Sequence, residues 1–337
     1  MYDYKLNLWG DFMSSRREFL QHSIAFGIGA LSIPNLLFSS EKLRLDIWNA
    51  PAIISLVVAV AMKQGEAKNL INLNYKEWRN PDQLRAGFAS GSFLLSASPI
   101  NVGPNLANQG LDVKMLNILT NGLNYIFSKG ENLNSLKDLE GKKLIMAFKN
   151  DLPDIVFRAL CIKNSVNLNK IDITYVQTPP EAMMMFLKKD FDNILISEPM
   201  ASAMSLTAKK NGIDVKRSLD IQKIWADTFK QVPIIPQAGL IVNGKFYQEN
   251  LEFFNTFHKD LKEALVWINS SFDLAAQFGS KYLPIPQPAI KEALNYANLK
   301  VERCQDIAQN LDLFFDIIYD INPKLIGGKM PSKELYL

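Results

Sequence analysis

The chain has 337 residues and a formal net charge of +3, with 48% hydrophobic and 21% charged residues. That length suits two domains, and the apolar fraction is ordinary for a globular protein. The small positive charge without a clustered basic run excludes a nucleic-acid interface, and the two widely spaced cysteines, Cys161 and Cys304, announce neither a disulfide nor a metal site and read as small buried hydrophobes.

The N-terminus carries Ser15-Arg16-Arg17-Glu18-Phe19-Leu20, then an apolar run from Ile24 to Phe38 broken by Gly27, Gly29 and Pro34. An arginine pair ahead of a modest apolar segment matches a twin-arginine export signal over residues 1–40. The run is short and glycine-rich for a membrane span; an uncleaved anchor is the alternative reading. Residues 1–40 hold three basic residues (Lys5, Arg16, Arg17) and three acidic ones (Asp3, Asp11, Glu18), so the charge of the remainder stays at +3.

After this segment, Lys42 to Trp48 alternates as a strand, and Asn49-Ala50-Pro51-Ala52 turns into an apolar helix from Ile53 to Gln64. The pattern repeats. A strand from Leu70 to Tyr75 leads through Trp78-Arg79-Asn80-Pro81 to a helix. A strand from Phe93 to Ala97 ends in Ser98-Pro99 before a helix near 101–109. Val113 to Leu119 ends in Thr120-Asn121-Gly122. Alternating strands and helices predict a parallel sheet with covered faces.

Leu123 to Ser128 and a polar stretch from Lys129 to Ser135 come next, and the α/β pattern restarts at Leu136. This places a domain boundary near Gly130. Asp151 caps a helix that Pro153 helps begin. Ile171 to Val176 is a strand, and Thr178-Pro179-Pro180-Glu181 opens a helix carrying Met183, Met184 and Met185, which read as core. Asn193 to Ile196, followed by Ser197-Glu198-Pro199, reads as a buried strand feeding a helix that Ser197 caps. Glu198 then stands at the carboxyl end of a strand, where ligands bind in open α/β sheets, and serves either a ligand or the helix dipole. Val215 to Leu219 is a further strand. Gln237 to Asn243 reads as a strand returning to the first unit, ahead of helices at 249–269, 272–278, 288–294 and 304–319. The two lobes are therefore expected at 42–128 plus 238–337 and at 129–237.

Three stretches in order carry a resemblance: Leu136-Lys137-Asp138-Leu139-Glu140-Gly141-Lys142-Lys143, Ser197-Glu198-Pro199, and Gly239-Leu240-Ile241-Val242 ahead of a long helix. Together they resemble the periplasmic solute-binding proteins of ABC importers, in the subgroup for nitrate, sulfonates, taurine and thiamine-pyrimidine precursors. The resemblance implies an α/β, type II periplasmic-binding-protein fold. In it, two mainly parallel sheets flanked by helices are joined by two crossover strands and close on a ligand by hinge motion. It also implies a monomer working with a membrane permease and ATPase, with no cofactor. Where many members carry Gly-x-x-Asp before the third strand, this chain has Gly91-Ser92-Phe93-Leu94.

The turns at strand carboxyl ends supply the candidate ligand contacts: Asn49, Ala50, Trp78, Arg79, Ser98, Asn121, Asn150, Asp151, Glu198 and Gln237. Helix N-termini there offer N–H groups to an anionic or polar end. Arg79 adds a bidentate donor if its loop turns inward, and Trp48, Trp78 and Tyr125 suit a ring portion. Glu198 and Asp151 favour a zwitterion or an amino group over a simple anion. Among enzymatic signals, no nucleophile elbow, phosphate loop or dinucleotide fingerprint occurs. Beyond the export segment the one histidine, His258, reads as structural. An enzyme of the same fold in thiamine-pyrimidine synthesis and a ligand sensor for a membrane receptor are the alternatives.

Overall fold

The computed structural model describes residues 42–230 and 234–337. The arginine pair and the apolar run after it lie outside the described residues. Among the described residues, no helix is long and apolar enough to cross a membrane.

Among the described residues, eleven strands form two sheets: β1 (Arg44–Asn49), β2 (Asn72–Glu77), β3 (Leu95–Pro99), β4 (Val113–Thr120), β5 (Asn124–Lys129), β6 (Lys143–Ala147), β7 (Asp172–Val176), β8 (Asn193–Ser197), β9 (Val215–Asp220), β10 (Ala238–Asn243) and β11 (Leu299–Arg303). The first sheet has the order β11-β4-β10-β3-β1-β2 and the second β7-β6-β8-β5-β9. Strands followed by a crossover helix run parallel, as right-handed βαβ units require: β1 pairs in parallel with β2 and β3, and β6 with β7 and β8. One strand in each sheet arrives from the other sheet and runs against its neighbours. β10 lies antiparallel between β3 and β4, and β5 antiparallel between β8 and β9.

The chain passes between sheets through Asn121-Gly122-Leu123. Sequence reading assigned Leu123 to Ser128 to the first lobe because the polar stretch after it resembles a linker. The structure differs: β5 pairs within the second sheet, because the crossover is the three-residue turn at Gly122. A β-carbon on Gly122 would lie 2.1 Å from Cγ of Gln222, and its φ of +116° suits glycine.

The second sheet is buried on both faces. On β8, Ile194 and Ile196 join one apolar cluster while Leu195 joins the other. On β5, Tyr125 and Phe127 oppose Ile126 in the same way. Met183 and Met185 pack against the smaller cluster, while Met184 is exposed. Two helical segments from the C-terminal third reach the second sheet's helices. Helix Gln287–Ala293 packs on Met200–Lys210, and Ala308–Ile321 on Leu152–Lys163. Phe314 sits 5.4 Å from the Trp225 ring. The helix Ile221–Phe229 and strand β11 were not expected from sequence. Strand β11, with its charged Lys300, Glu302 and Arg303, lacks an apolar alternation, and it lies at the edge of the sheet.

Candidate functional site

The carboxyl ends of parallel strands from both sheets face one cleft. Ala50 and Pro51 follow β1, Trp78 and Pro81 follow β2, and Pro99 ends β3. Phe148, Asp151, Leu152 and Pro153 follow β6, Pro179 follows β7, and Ser197, Glu198 and Pro199 lie at the end of β8. Gln237 and Leu123 come from the crossings. The cleft, which is partly open to solvent, holds a space of about 100 Å³.

Of the contacts expected from sequence, Ala50, Trp78, Asp151, Glu198 and Gln237 line this cleft. The others are placed differently. Asn49 is buried and spends its amide on the Ile47 and Lys76 carbonyls, at 2.8 and 3.2 Å. Ser98 is buried beside the wall residue Pro99, with no partner for its hydroxyl among the described residues. Asn121 is buried in the crossover. Arg79 and Asn150 are exposed. Trp48 stacks on Phe93 at 3.9 Å, and the next residue, Leu94, which stands where the resembled family's pattern has its acid, is a partly buried apolar residue packed on the core.

Glu198 is 1% exposed and its carboxylate already has partners. Oε2 accepts the Ser202 N–H at 3.1 Å, and Oε1 lies 2.7 Å from the Arg217 guanidinium. Glu198 therefore caps helix Met200–Lys210, and Ser197 does not; Ser197 donates to Asn124 Oδ1 instead. Burial pushes the Glu198 carboxyl above the usual range, with Arg217 pulling it part of the way back. The Arg217 guanidinium sits in a box of rings, 4.3 Å from Tyr125, 4.7 Å from Phe127 and 3.7 Å from Tyr296. Tyr125 thus holds a cation within the fold, and its hydroxyl donates to the Tyr296 carbonyl at 2.8 Å. Sequence reasoning missed Arg217. Its signal was the period of two on β9, which puts it in phase with Val215 and Leu219.

Asp151 is the second acid of the wall. Oδ1 accepts the Leu152 N–H at 2.9 Å and the Asn101 amide at 3.3 Å, and Oδ2 lies 3.1 Å from Arg85. Asn101 and Arg85 come from helices beside the first sheet, so Asp151 ties the two sheets together across the cleft. The loop that carries it is held by Asp154, fully buried, which accepts the Asn150 N–H at 2.8 Å. Phe148 and Asn150 both take positive φ there, 62° and 61°. For a phenylalanine that backbone is uncommon and costs energy. Gln237 accepts the Leu123 N–H at 3.0 Å through Oε1, which leaves its amide nitrogen as a donor at the wall. His258 lies elsewhere; its Nδ1 accepts from the Asn117 amide at 2.7 Å, and burial lowers its pKa to about 4.

Two α/β sheets, each entered by one reversed strand from the other, with the carboxyl ends of their parallel strands on a shared cleft, define the type II periplasmic-binding-protein fold. Solved structures agree. An ABC transporter protein from Parabacteroides distasonis superposes with a TM-score of 0.71 at 14% identity, over 88% of this chain and 98% of that one. The periplasmic aliphatic sulphonate-binding protein SsuA from Escherichia coli gives 0.66 at 17% identity, over 87% and 94%. The periplasmic nitrate-binding protein NrtA from Synechocystis gives 0.58 at 13% identity, over 78% and 74%. No protein-family model matches the sequence, and no curated protein matches it.

Proposed function

We propose that the chain is the substrate-binding component of an ABC-type importer, capturing a small solute with a polar or anionic end between the two sheets. The observation that supports it best is the shared cleft. Walls come from both sheets, the sheets are joined by short crossovers, and Asp151 bridges the opening through breakable polar contacts with Arg85 and Asn101. In this reading the two sheets are the cores of two lobes, residues 42–128 with 238–337 and 129–237, amended so that β5 belongs to the second. The protein works as a monomer in the periplasm with a permease and an ATPase, and returns its ligand unchanged. The sulfonate- and nitrate-binding titles of its structural neighbours support this class of role.

The test is to incubate the purified protein with a metabolite extract, recover it, unfold it and identify what is released by mass spectrometry. One small molecule chemically identical to a component of the extract is expected. Recovery of a species found only as a reaction product would instead favour an enzyme of this fold. Export follows the arginine pair: changing Arg16 and Arg17 together to Lys should leave unprocessed protein in the cytoplasm, and continued export would remove the twin-arginine part of the reading.

A further inference from the structure

We infer that the cleft selects an uncharged organic ligand, with an apolar body about the size of one six-membered ring and a single amide or hydroxyl end, and rejects free inorganic anions and zwitterions. The inference rests on the binding-protein reading and specifies its substrate class.

The first observation is chemical. Pro51, Pro81, Pro99, Pro153, Pro179 and Pro199 all line the cleft. At the start of a helix a proline replaces an N–H donor with a ring of CH₂ groups. The strand edge that usually offers donors to an anion is therefore largely hydrocarbon here.

The second observation concerns the donors that remain. Asn80 takes the Gln83 N–H, Asp151 the Leu152 N–H, Thr178 the Glu181 N–H and Glu198 the Ser202 N–H. Each of those helix starts gives one N–H to a side chain of its own, and the prolines remove others. Helix Ile54–Gln64 begins without a side-chain cap, and its Ser55 and Leu56 N–H groups donate to the Ala52 and Ile53 carbonyls, both at 3.0 Å. The charged wall residues are two carboxylates, each already facing an arginine outside the wall: Arg85 for Asp151 and Arg217 for Glu198. An incoming anion would lose its water and meet no unpaired cation among the described wall residues. That desolvation is costly without a partner. A zwitterion's ammonium fares no better, since both acids are engaged.

The third observation is geometric. The space of about 100 Å³ is of the order of the ~150 Å³ apolar cavity that holds benzene. Phe148 is kept at positive φ beside it, an arrangement that persists only where the surroundings over-determine it. Trp78 is held opposite in sequence origin, on the first sheet, by its Nε1 donating to the Ala97 carbonyl at 2.8 Å. The polar end is met by the Gln237 amide nitrogen as donor and by Ser197, whose hydroxyl hydrogen is spent on Asn124 and whose lone pairs accept. A carboxamide or alcohol matches that pair; a carboxylate does not.

The experiment uses a charge-matched pair. Calorimetry on the purified full chain at pH 7 compares cyclohexanecarboxamide with cyclohexanecarboxylate, with cyclohexanol, nitrate and taurine alongside. The amide should bind at least roughly tenfold tighter than the carboxylate, with nitrate and taurine silent. Phe148→Ala should weaken the amide by roughly tenfold and Phe148→Leu by less, because only part of the apolar contact is lost. The pair measured on the unaltered protein decides the charge question even if a variant fails to fold. Carboxylate, nitrate or taurine binding as tightly as the amide overturns the inference, as does a folded Phe148→Ala protein with unchanged affinity, or no binding by any neutral probe. A tight charged ligand would leave the importer reading standing, and that reading falls only on the release experiment above.

Discussion

Arg85 and Asp151 meet across the cleft at 3.1 Å, one on a helix beside the first sheet and the other on the loop after β6 of the second. The arginine is 29% exposed at its side chain and the acid 8%. With its arginine end open to water, the pair contributes modestly to global stability, on the order of 1 kcal/mol. Its position gives it a different role, since it joins two bodies that otherwise touch through crossovers and C-terminal helices.

Arg85→Ala should therefore open the ligand-free protein more than it unfolds it. Small-angle scattering should show a larger radius of gyration than for the parent, with an unfolding midpoint almost unmoved. Added salt should shift the parent in the same direction, because the pair is reachable by counterions. Identical scattering for parent and variant would show that the pair does not hold the cleft closed.

His258 sets an acid limit on stability. Its pKa falls from an ordinary 6.5 to about 4 in the folded state, so the unfolded chain binds the proton more readily. The contribution to stability is fully present above pH 6.5 and is lost as pH falls from 6.5 towards 4. Denaturant titrations at several pH values across that window should show the loss, and His258→Gln should flatten it. An NMR titration placing the imidazole pKa near 6.5 in the folded protein would refute the assignment.

Gly239 marks where the returning strand squeezes in. A β-carbon there would lie 1.8 Å from the Asn117 carbonyl oxygen, a backbone atom that moves only with β4. The pairing of β10 with β4 also shifts register at Ala238/Gly239. Gly239→Ala should destabilise the fold by on the order of 1–3 kcal/mol, read as a lower denaturant midpoint. A midpoint equal to the parent's would mean that β10 can move away from β4 at little cost.

Much of the fold was legible because α/β units advertise themselves. Asp151 and Thr178 cap the helices expected of them, at Leu152 and Pro179, and the apolar run at Asn193–Ser197 is a buried strand. The return of Gln237 to Asn243 to the first sheet also followed from sequence, although its antiparallel direction did not. What failed was non-local. Nothing local in Leu123 to Ser128 says which sheet β5 joins, since a buried strand reads alike in either. At the site, the turns were located but not the side-chain partners. Ser197 is a good cap by type, yet Asn124 on the neighbouring strand takes its hydroxyl. Glu198 looked free for a ligand because Arg217 lies nineteen residues on in sequence, and only the pairing of β5 with β8 and β9 brings the two together.

That pair gives the last prediction. Glu198 and Arg217 are both largely withdrawn from water, with side-chain exposures of 0% and 18%. Removing one member of a buried pair leaves the other uncompensated, at a typical cost of about 3–5 kcal/mol. Arg217→Ala should therefore destabilise the protein strongly, and Arg217→Lys should not restore it, because an ammonium cannot stack flat against Tyr125 and Tyr296 as a guanidinium does. The pH dependence carries the sign. The Glu198 pKa is raised in the folded state, so between its unfolded and folded values the native state holds the extra proton. Stability from this group is full below the unfolded value of 4.5 and is lost as pH rises through the raised folded value. Without Arg217 that folded value climbs further, so the Arg217→Ala protein should be rescued by acid more than the parent is. Denaturant midpoints for both proteins from pH 4.5 to 8 supply the comparison. Parallel curves for the two would show that Arg217 does not govern the ionisation of Glu198.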